Sequence, residues 1–398
     1  MNKMYTNLLI VACIVSAVNL NTPYCMENEK QLQKVLGMKF SFKNMHNMYF
    51  YANILGQKKI IKQFFQHLFG NNGDNLKKIL SCNIYDELLN IYYMLRYTDV
   101  KDYVVDLLKN NDALFKKISN IVNDMKYNYL NIRNKVCDIN NKIDNIVIYI
   151  VAEIKTIILM KELDMDGTFK DIYDMYSHSP SIADSQEQIE KFCNCLFGMN
   201  GKNLITILSC NVYDELININ CMLYFNDIKK YLVNLLNNND VLFKKISEIV
   251  NSAEYNNNIS NEVNNIVTEI KTVILMKSLD MDVSFTDIYE NYFNALKDDR
   301  IEDRPIQIKK FFNYLFGKDG KNLEKILLCQ NEHELSAINA MLKEDDTKEY
   351  LIRFLKNQDN NLIYNQILKI LNIRYSIRNY IKKYQESIIK QIQDCMNK

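Results

Sequence analysis

The chain has 398 residues, enough for two or three domains, and 48% of them are hydrophobic, which supports packed cores and argues against wholesale disorder. Lysine plus arginine (49) balance aspartate plus glutamate (48), leaving a net charge of +1. The basic excess of a nucleic-acid binder is missing, and the total gives no reason to expect broad adhesion to anionic membrane.

The N-terminus predicts a signal peptide over 1–17. Lys3 precedes the apolar run LLIVACIVSAV (8–18), and Val15-Ser16-Ala17 offers compact residues for cleavage after Ala17. That run is too short to span a bilayer comfortably. The next most apolar stretch, 146–160, carries Glu153 and Lys155 and reads as a core helix, so no integral membrane span is expected in the mature chain. With only 9 glycines, 3 prolines and no sustained apolar/polar alternation, the remainder reads as helical.

One segment is written three times: IKQFFQHLFGNNGDNLKKILSCNIYDEL at 61–88, IEKFCNCLFGMNGKNLITILSCNVYDEL at 189–216 and IKKFFNYLFGKDGKNLEKILLCQNEHEL at 308–335. Phe64, Phe65, Leu68 and Phe69 fall on one helical stripe. Gly70 should end that helix in the left-handed conformation, and a second glycine follows three places on (Gly73, Gly201, Gly320) before another apolar run. Upstream, 34–49, 153–176 and 269–292 match one another. Ser41 and Asn44, Thr168 and Asp171, Ser284 and Asp287 have capping-box spacing at a helix start. Downstream, ALFKKISNIVN (113–123) matches VLFKKISEIVN (241–251), where Leu242, Phe243, Ile246, Ile249 and Val250 make an amphipathic stripe. The third copy keeps it as Ile363, Tyr364, Ile367, Ile370 and Leu371, after a small insertion near Asn360-Asn361.

These repeats predict an all-α fold: three tandem copies of a multi-helix module of about 120 residues, set in an elongated array. The expected modules cover 18–145, 146–265 and 266–372, with a capping helix at 373–398 and helices crossing the module boundaries. Pro180 and Pro305 suit the start of the helix that leads into each corner.

Catalytic and metal signatures are missing. Neither the phosphate-loop spacing nor the α/β setting of a KH clamp accompanies the paired glycines. Asp164-Met165-Asp166-Gly167 hints at a calcium loop, but the sister stretch Asp280-Met281-Asp282-Val283 does not, and helix-end capping accounts for both. None of His46, His67, His178 and His333 keeps its place across the copies. The pairs Asp86-Glu87, Asp214-Glu215 and His333-Glu334 point about 100° apart on a helix, and they complement the dipole of a first turn. Ten cysteines become nine after cleavage, an odd number. Cys82, Cys210 and Cys329, one per copy, read as small buried residues on an apolar helix face, and Cys193 and Cys195 as core filler. No catalytic, cofactor or metal residue is therefore assigned. Of 26 tyrosines, Tyr173, Tyr176, Tyr289 and Tyr292 recur near the short capped helix, as core-edge residues with wet hydroxyls or as part of a binding patch.

The signal sequence, the Asn/Lys/Ile/Tyr-rich usage and the duplicated helical modules resemble secreted proteins of AT-rich intracellular parasites, in general plan the spherical-body proteins of piroplasms. That resemblance implies storage in secretory organelles and export into an infected host cell. The expected function is a secreted, non-enzymatic interaction protein, an effector meeting a host or parasite protein partner through repeated helical surfaces, where linked copies raise avidity. A self-associating granule or surface-coat component is the second expectation, and a helical lipid-binding protein or hydrolase the third. No nucleic-acid partner is expected.

Overall fold

The computed structural model describes residues 23–82, 84–124, 140–210, 212–252, 261–297, 301–329, 331–357, 360–371 and 379–397. The expected signal peptide, Cys13 and Cys137 lie outside the described residues, as do 253–260, the residues just before Asn360 and the start of the expected capping helix at 373–378. Every regular element described is helical, 22 α-helices and one 3-10 turn, with no strand among them.

Two compact units are defined, 1–168 and 169–398. The first holds α1 (Pro23–Leu36), α2 (Phe42–Tyr51), α3 (Ile54–Phe69), α4 (Asp74–Leu80), α5 (Tyr85–Leu95), α6 (Thr98–Lys109), α7 (Asp112–Asp124) and α8 (Asn140–Leu163). Helix α5 is central: α2 packs on it and so does α8, which also lies against α6 and α7. The second unit begins with α9 (Phe169–Ser177), α10 (Ile182–Phe197), α11 (Lys202–Ser209), α12 (Tyr213–Tyr224), α13 (Asn226–Asn237), α14 (Asp240–Ser252) and α15 (Asn261–Leu279). There α12 receives α9 and α15. It continues with α16 (Phe285–Lys297), α17 (Arg304–Phe316), α18 (Asn322–Leu328), α19 (Glu332–Lys343), α20 (Asp345–Lys356), α21 (Asn361–Leu371) and α22 (Asn379–Met396), in which α19 receives α16 and α22. Helices α8 and α15 run unbroken across 145/146 and 265/266.

The aromatic stripe drives the packing. Phe64, Phe192 and Phe311 are fully buried, and each meets the first residue of the short capped helix edge to face: Phe42–Phe64 at 5.8 Å, Phe169–Phe192 at 6.0 Å and Phe285–Phe311 at 5.8 Å. Each buried ring contributes about 2–3 kcal/mol by burial, and such a pair adds about 1 kcal/mol.

The glycine corner differs from expectation in one respect. Gly70 (φ 66, ψ −164), Gly198 (61, −170) and Gly317 (65, −167) have positive φ but an extended ψ, a region open essentially to glycine alone, not the left-handed helical one. The left-handed residue is the second glycine, Gly73 (82, −4) and Gly201 (76, 1). The cause is an asparagine two places later. Asn75, Asn203 and Asn322 donate from Nδ2 to the carbonyls of His67, Cys195 and Tyr314 at 3.0, 2.9 and 3.0 Å, satisfying an orphan acceptor of the preceding helix. A Cβ on Gly198 would lie 2.9 Å from the Asn203 side chain, so the lock requires glycine there.

The cysteines also need correction. Cys82, Cys210 and Cys329 do not lie on a helix face; they follow the last turn and are half-buried, with backbone N–H groups donating to Ile79, Ile207 and Ile326 at 3.0, 3.1 and 3.1 Å. Pro180 precedes the N-cap Ser181, and Pro305 stands in the first turn of α17.

Candidate functional site

The chemistry-bearing side chains gather at one kind of junction, where the short capped helix meets the central helix. Ser41 caps α2 by accepting from the Asn44 N–H at 3.1 Å, and Ser284 caps α16 by accepting from the Asp287 N–H at 3.0 Å. In α16 the box is reciprocal, because Asp287 accepts from the Ser284 N–H at 3.2 Å. That leaves the first helical amide, and a distant glutamate takes it. Glu87 accepts from the Phe42 N–H at 2.6 Å, Glu215 from Phe169 at 2.7 Å and Glu334 from Phe285 at 2.8 Å. These glutamates are 2%, 4% and 1% exposed, and each is the third residue of its own helix, so two helix N-termini converge on one carboxylate. Burial pushes the carboxyls of Glu87 and Glu334 up to about 7, against the hydrogen bonds they accept.

A second contact recurs beside it. The Tyr49 hydroxyl donates to Asp99 at 2.6 Å, Tyr176 to Asp227 at 2.7 Å and Tyr292 to Asp346 at 2.7 Å. Of the four tyrosines singled out from the sequence, Tyr176 and Tyr292 thus have carboxylate partners, while Tyr173 stacks on Phe225 and Tyr289 on Phe293. In the last case Arg304 joins the group, 2.7 Å from Asp346.

The third recurrence is an ion pair to the long helix. Lys101 meets Glu153 at 2.9 Å, and Lys229 meets Glu269 at 3.1 Å with both side chains 5% exposed. Burial raises the Glu269 carboxyl despite Lys229; burial alone would lower Lys229, and Glu269 together with Asp287 and Glu334 more than offsets it. A pair this buried owes its retention to mutual compensation, since either charge alone would be costly. The matching lysine in α20, Lys348, is instead half-buried and turns to the exposed Asp345 at 3.1 Å.

The remaining suspects are dispersed. Asp164 (φ 53) and Asp280 (φ 55) stop α8 and α15 with a paired-turn motif: the Met165 and Met281 N–H groups donate five residues back at 2.9 Å, and the aspartate amides three residues back. Asp164 pairs with Lys109 at 2.6 Å, a helix-end arrangement and not a calcium loop. His46 lies 3.3 Å from the Tyr97 hydroxyl; burial lowers its pKa and that of His67. His178 closes on the Asp174 carbonyl at 2.8 Å. Among the described residues no three His, Cys, Asp or Glu side chains are grouped to hold a metal, and no helix is long and apolar enough to cross a membrane.

One cleft of about 330 Å³ opens in the second unit, lined by Lys271, Ile274, Leu275, Lys325, Leu328 and Cys329 among others. Lys325 donates to the Ser278 carbonyl at 2.7 Å. Burial pushes the Cys329 thiol up to about 12, which keeps it a thiol and a poor nucleophile.

What the junction can do chemically follows from access. A carboxyl near 7 could exchange protons at neutral pH, but both oxygens of Glu334 are engaged, one by the Phe285 amide and one by the Thr286 hydroxyl at 2.7 Å, while Glu87 keeps one oxygen on the Phe42 amide and buries the other away from solvent. The arrangement fastens helices. Sequence reasoning assigned these glutamates to their own helix dipoles and missed the cross-helix cap. The signal was present: the glutamate stays in all three copies while its neighbour changes from Asp86 and Asp214 to His333.

No protein-family model matches the chain, and searches of curated proteins and of solved structures return no match either.

Proposed function

We propose that the protein is a non-enzymatic interaction scaffold built of three tandem copies of one helical module. In this reading the copies share an interior and differ in the surfaces they offer to protein partners. The observation that carries it is the contrast between inside and outside. The buried Glu–amide cap, the Tyr–Asp bond and the Asn–carbonyl lock occur three times each, at matching places. Exposed positions diverge, as where Lys116-Lys117 and Lys244-Lys245 become Asn365-Gln366. A fold that holds its core groups in structural bonds while varying its outer faces suits recognition by shape and charge.

Delivery through the secretory route, and release into a host cell as the parasite resemblance implies, belong to the same proposal. The test is affinity capture with the tagged full-length chain and three variants, each reversing surface charges on one copy. A partner lost with one face and kept with the others is the expected result. Partners retained equally by all three variants, or turnover in a broad hydrolase screen, would overturn it. Locating the tagged chain inside or outside its producing cell tests the route.

A further inference from the structure

We propose that the α2–α3 corner of the first unit docks on an anionic lipid bilayer, with an apolar tip entering the headgroup region and a lysine collar meeting the lipid charge. The near-neutral total conceals a sorted distribution. Residues 30–73 contain seven lysines, Lys30, Lys34, Lys39, Lys43, Lys58, Lys59 and Lys62, and no aspartate or glutamate. The matching stretches of the other copies, 158–201 and 277–320, carry eight and nine acidic residues, so this face belongs to the first copy alone. All seven lysines are exposed, and among the described residues none has an ion-pair partner.

Between the lysines stands an unusual concentration of uncovered apolar surface. Phe50 is 66% exposed, Tyr51 85%, Ile54 74% and Leu55 80%, with Val35, Phe40 and Met48 also exposed. The four span the turn from the end of α2 to the start of α3, so they project from one corner; the rings of Phe50 and Tyr51 meet edge to face at 5.3 Å. Helical spacing places the charges beside them. Lys58 and Lys62 continue the ridge of Ile54, Lys59 that of Leu55, and Lys43 shares the face of Tyr51. The collar therefore sits about one to two turns, ~6–12 Å along the helix axes, behind the tip.

Among the described residues, acidic groups on the neighbouring elements have other partners than these lysines. Glu29 accepts from the Gln33 amide, Asp74 pairs with Lys117, Glu87 is buried under the α2 cap, and Asp99 accepts from Tyr49. Such a surface fits the boundary between acyl chains and anionic headgroups, where apolar insertion and lysine attraction add. A nucleic acid would use the lysines and the Phe50 and Tyr51 rings but not Ile54 and Leu55, which have no π-face on which bases stack, whereas an acyl-chain boundary takes all four.

Vesicle flotation with the full-length chain tests this, using neutral phosphatidylcholine vesicles and vesicles with about one-third phosphatidylserine. The parent should float with the anionic vesicles and lose binding as salt is raised. Lys58→Glu with Lys59→Glu should lower partitioning by about tenfold or more, and Tyr51→Ser with Ile54→Ser and Leu55→Ser should do likewise. These side chains are exposed, so both variants should melt as the parent does. Ile182→Ser with Met199→Ser, exposed apolar residues elsewhere, should bind as the parent. No binding to anionic vesicles, equal binding to neutral ones, or full binding by the tip variant would overturn the proposal. So would a duplex oligonucleotide bound by parent and tip variant alike in place of vesicles.

Discussion

Glu215 is the third residue of α12, where a glutamate ordinarily folds back on its own N-cap; its carboxylate instead reaches the first amide of α9. Alanine there would strand a buried N–H and open a small void, at a cost of about 2–4 kcal/mol. Glutamine keeps an acceptor of the same reach and should cost far less. Urea unfolding of both variants should show a lower midpoint for Glu215→Ala with an unchanged slope, and a midpoint near the parent's for Glu215→Gln. Equal midpoints for alanine and parent would mean the cap contributes nothing. That a structural role belonged to this residue was legible in the three copies; its partner was not, because it lies 46 residues away. Dipole complementarity within α12 already sufficed as an explanation, and sequence spacing along a helix carries no information about which other helix start comes to rest there.

Helices were more readable than single contacts. The stripe of Phe64, Phe65, Leu68 and Phe69 is buried throughout, and Leu242, Ile246, Ile249 and Val250 form the inner face of α14 as their spacing required. The stops were readable as positions but not as conformations. The corner glycine is driven into extended ψ by the asparagine lock, a tertiary demand that residue type alone does not reveal. Where α15 ends, Asp280 holds a left-handed φ of 55 that its sister position in the first copy gives to Gly37 (φ 65). A non-glycine residue in that region carries a cost of about 1–2 kcal/mol, partly recovered through the lower entropy of its unfolded chain. Asp280→Gly should therefore stabilise the second unit by about 0.5–1 kcal/mol, read as a higher unfolding midpoint. A lower midpoint would mean that the aspartate side chain holds the stop.

Across the whole molecule the buried glutamates couple folding to protons. Glu87 and Glu334 sit at about 7 when folded against 4.5 in the open chain, through burial first. The folded state thus holds protons that the unfolded state has released between those values, so the contribution of these two carboxyls is fully present below about 4.5 and is lost as pH rises through 7. Histidines and surface aspartates run the other way. Burial lowers His46 and His67 below 6.5, and their contribution is lost on acidification past that point. The surface aspartates Asp74 and Asp164, held low by Lys117 and Lys109, matter only below 3.8. A single substitution separates the terms. Around Glu334 lie Lys229, Asp287 and the Thr286 hydroxyl, and glutamine in its place keeps an acceptor for Phe285 while removing the titration. Relative to the parent, Glu334→Gln should gain thermal stability at about pH 8 and lose that advantage at about pH 5. A parent–variant difference that stays constant over this range would show that the Glu334 carboxyl titrates no differently in the folded and unfolded chain, and the proton linkage would have to be withdrawn.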